Sequence, residues 1–323
     1  KSFQKEGPVI YLPDGYTAHF RDPKVWKKNN SWWMVVGAQT KELQGNVALF
    51  ESNNLKKWDY RGNLLDPSMD WGYMCECPDI VDIDGQQFLI VSCQKETGCK
   101  GIVFSGKMDY IEAKFQLDDV GNLLDAGFDF YAPQTFTDES GRRLLMGWIG
   151  AGEIEYQMSQ PTVKEGWLHV LTIPREVYVK NDRLYQKPAE ELKHLRKNEE
   201  SICGTGEIAI DRHSKCMEIL AEGLENQTIT FDFGKVIKFL YKKESGNLLV
   251  FRKKWNGEGY DEKEIHLDKL EDFRIYLDQS TAEIFLNQGE KVLTMKSYFT
   301  EDTLIHMNSE LQIKVKTWLL EEE

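Results

Sequence analysis

The chain has 323 residues, of which 41 % are hydrophobic, 29 % charged and 12 % aromatic, and it carries a net charge of −13. That length suits about two globular domains with buried cores, and that charge disfavours duplex nucleic acid or an anionic membrane as a partner. No apolar run reaches the ~18 residues that cross a bilayer, and six cysteines without metal-ligand spacing predict reduced thiols in a cytoplasm rather than a disulfide scaffold or a zinc site.

In chain order, the first half is organised by three prolines, in Arg21-Asp22-Pro23, Glu76-Cys77-Pro78 and Tyr131-Ala132-Pro133, spaced 55 residues apart both times. Each proline opens an extended run (PKVW, PDIV, PQTF), followed by a turn signal (KKNNS, DIDG, TDESG) and a second apolar run (WWMVV, QFLIV, RLLMGW). These are three hairpins, and Val47–Glu51 and Ile102–Ser105 add further strand to the first two. All-strand repeats near 50 residues predict a β-propeller with one four-stranded blade per repeat.

The repeat brings chemistry together. The innermost strand of each blade lines the central channel, so equivalent positions in successive repeats converge on one axial pocket. Asp22 and Glu76, far apart in sequence, are thereby drawn towards each other, with Tyr131 at the matching place in the third repeat. Three blades do not close a ring, since propellers have about four to eight. The remaining blades are therefore expected outside these residues, in cis or on a second chain.

In the second half, the charged stretch Ala189–Asn198 is the one predicted short helix and reads as a linker. After it, Glu207–Ile210, Met217–Leu220, Thr228–Phe233, Leu248–Phe251, Phe273–Leu277, Ala282–Leu286 and Leu311–Leu319 read as short strands of a β-sandwich. Trp255, in the loop 253–259, is either a sugar-stacking platform or a packing aromatic. The predicted organisation is all-β: 1–187 the C-terminal part of a propeller catalytic domain, 188–198 a linker, and 199–323 the sandwich.

These strings resemble glycoside hydrolase family 32 over essentially the whole chain. The family's arginine-aspartate-proline motif stands as HFRDPKVW (His19–Trp26) and its glutamate-cysteine motif as MCECPDIV (Met74–Val81), followed in order by FYAPQTF and MGWIG. Glu165–Leu192 is similar to the bacterial sucrose-6-phosphate hydrolase and invertase branch, and TAEIFLNQGEKVLT (Thr281–Thr294) to the family's C-terminal sandwich. The family fold, a five-bladed propeller followed by a sandwich, agrees with about three blades in this chain. The family's N-terminal tryptophan-methionine-asparagine-aspartate-proline motif, which carries the nucleophile, has no match here.

The resemblance implies retaining hydrolysis of the β-fructofuranosidic bond of sucrose or sucrose 6-phosphate, with no cofactor and no metal. Fructan hydrolysis, or non-catalytic fructan binding, is the alternative. Glu76 is the implied acid/base and Asp22 the implied transition-state stabiliser, while the nucleophile lies outside this chain, which is expected to be inactive alone. Arg21, Tyr131 and Cys77 are candidate substrate-pocket residues, although strand alternation points Cys77 away from Glu76. His19 is expected in a loop at the edge of the motif. Lys24, Lys95 and Arg142 are the candidate phosphate ligands, and a homodimer through the sandwich is left open.

Overall fold

The computed structural model describes residues 2–96, 98–150, 152–211, 214–299 and 304–321. Two compact units emerge: residues 1–124 with 131–135, and residues 125–130 with 136–323.

The first unit holds two antiparallel sheets built alike. Strands β1 (Tyr16–Lys28), β2 (Ser31–Thr40), β3 (Gly45–Ser52) and β4 (Asp59–Asn63) pair in sequence order. So do β5 (Met74–Ile83), β6 (Gln86–Lys95), β7 (Gly98–Asp109) and β8 (Lys114–Leu117), with the short β9 (Asn122–Leu123) added to β7. The second strand of each is the most apolar because it is covered on both faces, so β2 reads WWMVVGA without alternation. Trp33, Val35 and Leu49 of the first sheet share a core with Cys75, Leu89, Val91 and Phe104 of the second. Gly37 makes that contact close: a Cβ there would come within 2.4 Å of the Cys75 carbonyl oxygen.

The strand β10 (Phe130–Thr137) crosses between the units, its residues 131–135 grouping with the first. It heads a third sheet in the order β10, β11 (Arg143–Ile149), β13 (Arg175–Lys180) and β14 (Arg183–Pro188), with β12 (Val170–Leu171) on β11. A helix the sequence reading missed, α1 (Ile154–Met158), lies between β11 and β12. It buries no side chain, so it has no apolar face to announce it. The predicted helix at Ala189–Asn198 is a 3₁₀ turn over Glu190–Leu195, and a strand has already begun at Arg196.

The rest of the second unit contains β15 (Arg196–Asp211), β16 (Met217–Glu222), β17 (Ile229–Phe233), β18 (Ile237–Lys242), β19 (Asn247–Lys253), β20 (Tyr260–His266), β21 (Asp272–Asp278), β22 (Thr281–Leu286), β23 (Lys291–Lys296) and β24 (Leu304–Leu320). All the predicted strands are present. Three others went unread, of which β20 (YDEKEIH) is the clearest case: a polar edge strand with no residue fully buried. The sandwich is one hydrogen-bonded ladder rather than two separate sheets. The long β24 pairs with β17 through Ile305–Ser309 and with β16 through Lys314–Leu319, and a register shift at Gly204/Gly206 of its partner β15 marks the corner. Phe231, stacked on Phe239 at 4.6 Å and met edge-on by Phe273 at 5.2 Å, anchors the core between the layers.

Among the described residues of this unit, Arg175, Lys296 and Arg252 are buried cations, and the first two are wholly shut off from solvent. Arg175 is fully buried and donates to Glu283, Asp125, Gln186 and Thr294. Lys296 is also fully buried, but its Nζ has no hydrogen-bond partner among the described residues and lies 5.2 Å from the ring centre of Trp167. Burial pushes this amine from 10.5 down to about 8, against the weaker pull of Asp129. Between those two values the folded chain binds fewer protons here than the unfolded chain, so this residue makes stability climb as pH rises through that window. Lys296→Met is expected to raise stability by about 1–2 kcal/mol at pH 7, an advantage that fades towards pH ~10. Urea unfolding at both pH values checks this, and an equal gain at the two would contradict it.

Candidate active site

The site grows from the bulge that each proline imposes. Proline has no N–H for the ladder and is tolerated inside a strand where pairing slips. The β1–β2 register slips between Arg21 and Lys24, and the β5–β6 register between Glu76 and Asp79. The residue before each proline takes a left-handed backbone, with φ of 62° at Asp22, 46° at Cys77 and 50° at Ala132. For non-glycine residues that conformation costs about 1–2 kcal/mol each, and here it re-aims neighbouring side chains into the same space.

The bonds this creates keep the 55-residue spacing of the repeat. Arg21 donates to Glu76 Oε1 from Nε at 2.8 Å and from Nη2 at 2.6 Å. Tyr131 donates its hydroxyl to Glu76 Oε2 at 2.5 Å, and Gln94 of the adjacent β6 donates to the same oxygen at 2.6 Å. One position on, the Cys77 backbone N–H donates to Asp22 Oδ2 at 3.1 Å, with Cys77 Sγ 3.6 Å from that oxygen. Among the described residues Asp22 Oδ1 takes no hydrogen bond. A third layer locks the frame: Asp79 is fully buried, accepts from Thr135 N and Oγ1 at 2.9 and 2.7 Å, and pairs with Lys24 at 3.0 Å.

The electrostatics separate reactive groups from supporting ones. Burial first, then Asp22, pushes the Cys77 thiol up to about 12, so it stays a protonated S–H donor. Burial and the bond to Glu76 push the Tyr131 phenol well above its ordinary value, so its proton remains available to Glu76. Two carboxylates, each oriented by dedicated donors, can move a proton and stabilise a developing cation.

Residues 1–188 match the Glycosyl hydrolases family 32 N-terminal domain, and residues 206–318 the Glycosyl hydrolases family 32 C terminal. The chain belongs to glycosyl hydrolase family 32. It is 36 % identical over 316 residues to the sucrose-6-phosphate hydrolase of Bacillus subtilis, and 36 % identical over 314 residues to that of Salmonella typhimurium. These alignments cover 92 % of this chain in both cases, and the chain spans 65 % and 64 % of those relatives' own length. Among solved structures it resembles a Lactobacillus gasseri sucrose-6-phosphate hydrolase (TM-score 0.88, 25 % identity, 98 % of this chain and 69 % of that one). It also resembles a Bombyx mori family 32 β-fructofuranosidase (TM-score 0.83, 26 % identity, 98 % and 69 %), of which a variant was solved in complex with sucrose. The fold is accordingly the family's β-propeller followed by a β-sandwich.

Within that family fold the five residues form two hydrogen-bonded groups, Arg21 and Tyr131 on Glu76, and Cys77 on Asp22. Cys77, expected by alternation to face away from Glu76, turns its N–H and thiol onto Asp22 at the bulge. His19 lies in β1 rather than in a loop, exposed, with Nδ1 3.1 Å from Arg21 Nη1. The three candidate phosphate ligands are already engaged: Lys24 with Asp79 and the Thr135 carbonyl, Lys95 with Asp70, and Arg142 with Asp138 and Glu191. Trp255 is a packing aromatic, lying 4.8 Å from the Tyr156 ring and 5.4 Å from the Tyr298 ring, with Nε1 donating to Ser159. Gln94 was missed, although the pairing of two strands in one hairpin places it opposite Met74, two residues before Glu76.

Proposed function

We propose that these residues carry the acid/base and the transition-state stabiliser of a retaining β-fructosidase acting on sucrose 6-phosphate or sucrose. The observation that supports this best is the pairing of Glu76, held by Arg21, Tyr131 and Gln94, with Asp22, held by Cys77. The 6-phosphate substrate is favoured by the relatives' activity. No acid of this sequence stands in a match to the family's nucleophile motif, so we assign the attack to a carboxylate outside these residues. The 323 residues alone are then expected to be inactive. Residues 1–187 would be the propeller part and 199–323 the sandwich, joined through 188–198, and the six cysteine thiols suit a cytoplasmic setting.

In the first step Glu76 gives its proton to the glycosidic oxygen as that oxygen takes the electron pair of its bond to the fructosyl C2, while the nucleophile closes onto C2 from the other side. Asp22 holds furanose hydroxyls through bonds that tighten as positive charge develops on the ring. Glu76, now a carboxylate solvated by its four donors, removes a proton from the water that attacks C2 and frees the nucleophile.

Asp22→Asn tests the stabiliser, because it keeps the shape but removes the charge. In the protein that carries these residues, kcat should fall by about 10²-fold or more. A near-normal kcat with only a raised KM would make Asp22 a uniform binding residue instead.

A further inference from the structure

Glu76 offers two oxygens with about four lone-pair sites, and four N–H or O–H groups already point at them. A general acid must nonetheless carry a proton on one of those oxygens, and the two are not equivalent. Both bonds to Oε1 come from the guanidinium of Arg21, which stays charged and has no acceptor. A proton on Oε1 would therefore break a charge-assisted bond. At Oε2 the donors are neutral and differ from each other. The Tyr131 hydroxyl can turn from donor to acceptor, whereas the Gln94 amide nitrogen can only donate.

We propose that Gln94 is a positioning residue that divides the two oxygens of Glu76 between two tasks: Oε1 stays anchored on Arg21, and Oε2 carries the exchangeable proton. Gln94 occupies one side of Oε2 in both protonation states, so the proton is confined to the side that Tyr131 shares. With Glu76 protonated, Tyr131 accepts from it or yields to the substrate oxygen. With Glu76 ionised, Tyr131 swings back to donate. This reading rests on Glu76 being the acid/base, and it adds what selects the oxygen.

Position supports it. Gln94 lies opposite Met74 on one neighbouring strand and opposite Cys99 on the other, so its backbone is fixed on both sides. The titratable groups around Glu76 are Arg21, with His19 against its guanidinium, and Asp22 from β1, Cys75 and Cys77 beside it on β5, Cys93 opposite Cys75 on β6, and Tyr131 from β10, whose hydroxyl also meets the Cys99 thiol of β7. Lys95, next along β6, is engaged by Asp70. Because Gln94 donates to the ionised carboxylate, losing that donor disfavours ionisation, and the Glu76 carboxyl titrates at higher pH.

The test is Gln94→Met, which keeps the length and removes the donor. The Glu76 carboxyl is followed by carbon NMR of glutamate-labelled protein, with Glu76→Gln identifying its signal. The titration midpoint should rise by about one pH unit, and the basic limb of the kcat/KM profile should rise with it. Tyr131→Phe, which strips the other donor from Oε2, should also raise the midpoint. An unchanged midpoint in Gln94→Met, with folding intact, overturns the proposal even where KM or kcat changes, since a merely structural role would leave the titration alone. Should Gln94→Met fail to fold, Gln94→Asn keeps the amide one methylene short of Oε2 and serves the same comparison. If the parent protein hydrolyses no β-fructoside, the functional reading fails, while the titration still decides whether Gln94 governs the proton on Glu76.

Discussion

Glu76→Gln, made in the protein that carries these residues, is expected to lower sucrose hydrolysis by about 10³-fold or more, because a poor sugar leaving group then departs without its proton. A fructoside with a good leaving group needs little protonation and should still form the covalent intermediate, which then accumulates for want of a base to activate water. Azide needs no base. Adding it should restore turnover on the activated substrate and yield a fructosyl azide of retained configuration. If azide neither speeds turnover nor gives that product in a folded, fructose-binding variant, Glu76 is not the acid/base. Asp79, the nearest alternative in sequence, is a poor substitute, since it is fully buried against Thr135 and Lys24.

The largest effect on stability is expected at Arg175. Its guanidinium is buried with Asp125 and Glu283 at 3.1 and 2.6 Å, and it also reaches Gln186 and Thr294. Arg175→Leu leaves two carboxylates in a dry interior without their cation, and should cost about 3–5 kcal/mol. Burial already pushes the Glu283 carboxyl above its ordinary value, with Arg175 holding it back. Without the arginine it rises further, so the folded variant binds a proton that the unfolded chain has released. That group's contribution is lost as pH rises, and the deficit of the variant should accordingly shrink on going from pH 7 to pH 5. Urea unfolding at both values checks the size and the slope. A loss under about 1 kcal/mol would mean that the cluster relaxes or takes in water.

The amino-acid sequence by itself determined the architecture and most of the candidate site. Periodicity-two segments, turn residues and a 55-residue spacing are local or translational signals, and they specified blades, sandwich strands and the convergence of Asp22, Glu76 and Tyr131. What they left out depends on backbone detail and on which partner arrives first. The positive φ at Asp22, Cys77 and Ala132 and the slipped register beside the first two put Cys77 onto Asp22, a contact that alternation alone does not give. Gln94 is one polar residue near the end of an apolar strand, and only the register of β6 against β5 makes it a ligand of Glu76. Lys24, Lys95 and Arg142 read as candidate phosphate ligands because charge is visible in a sequence and ion pairing is not; the tertiary structure supplies their partners Asp79, Asp70 and Asp138 with Glu191. The same holds for Arg175, whose three buried charges come from positions 50 and 108 residues apart and meet only because the fold closes them off from water.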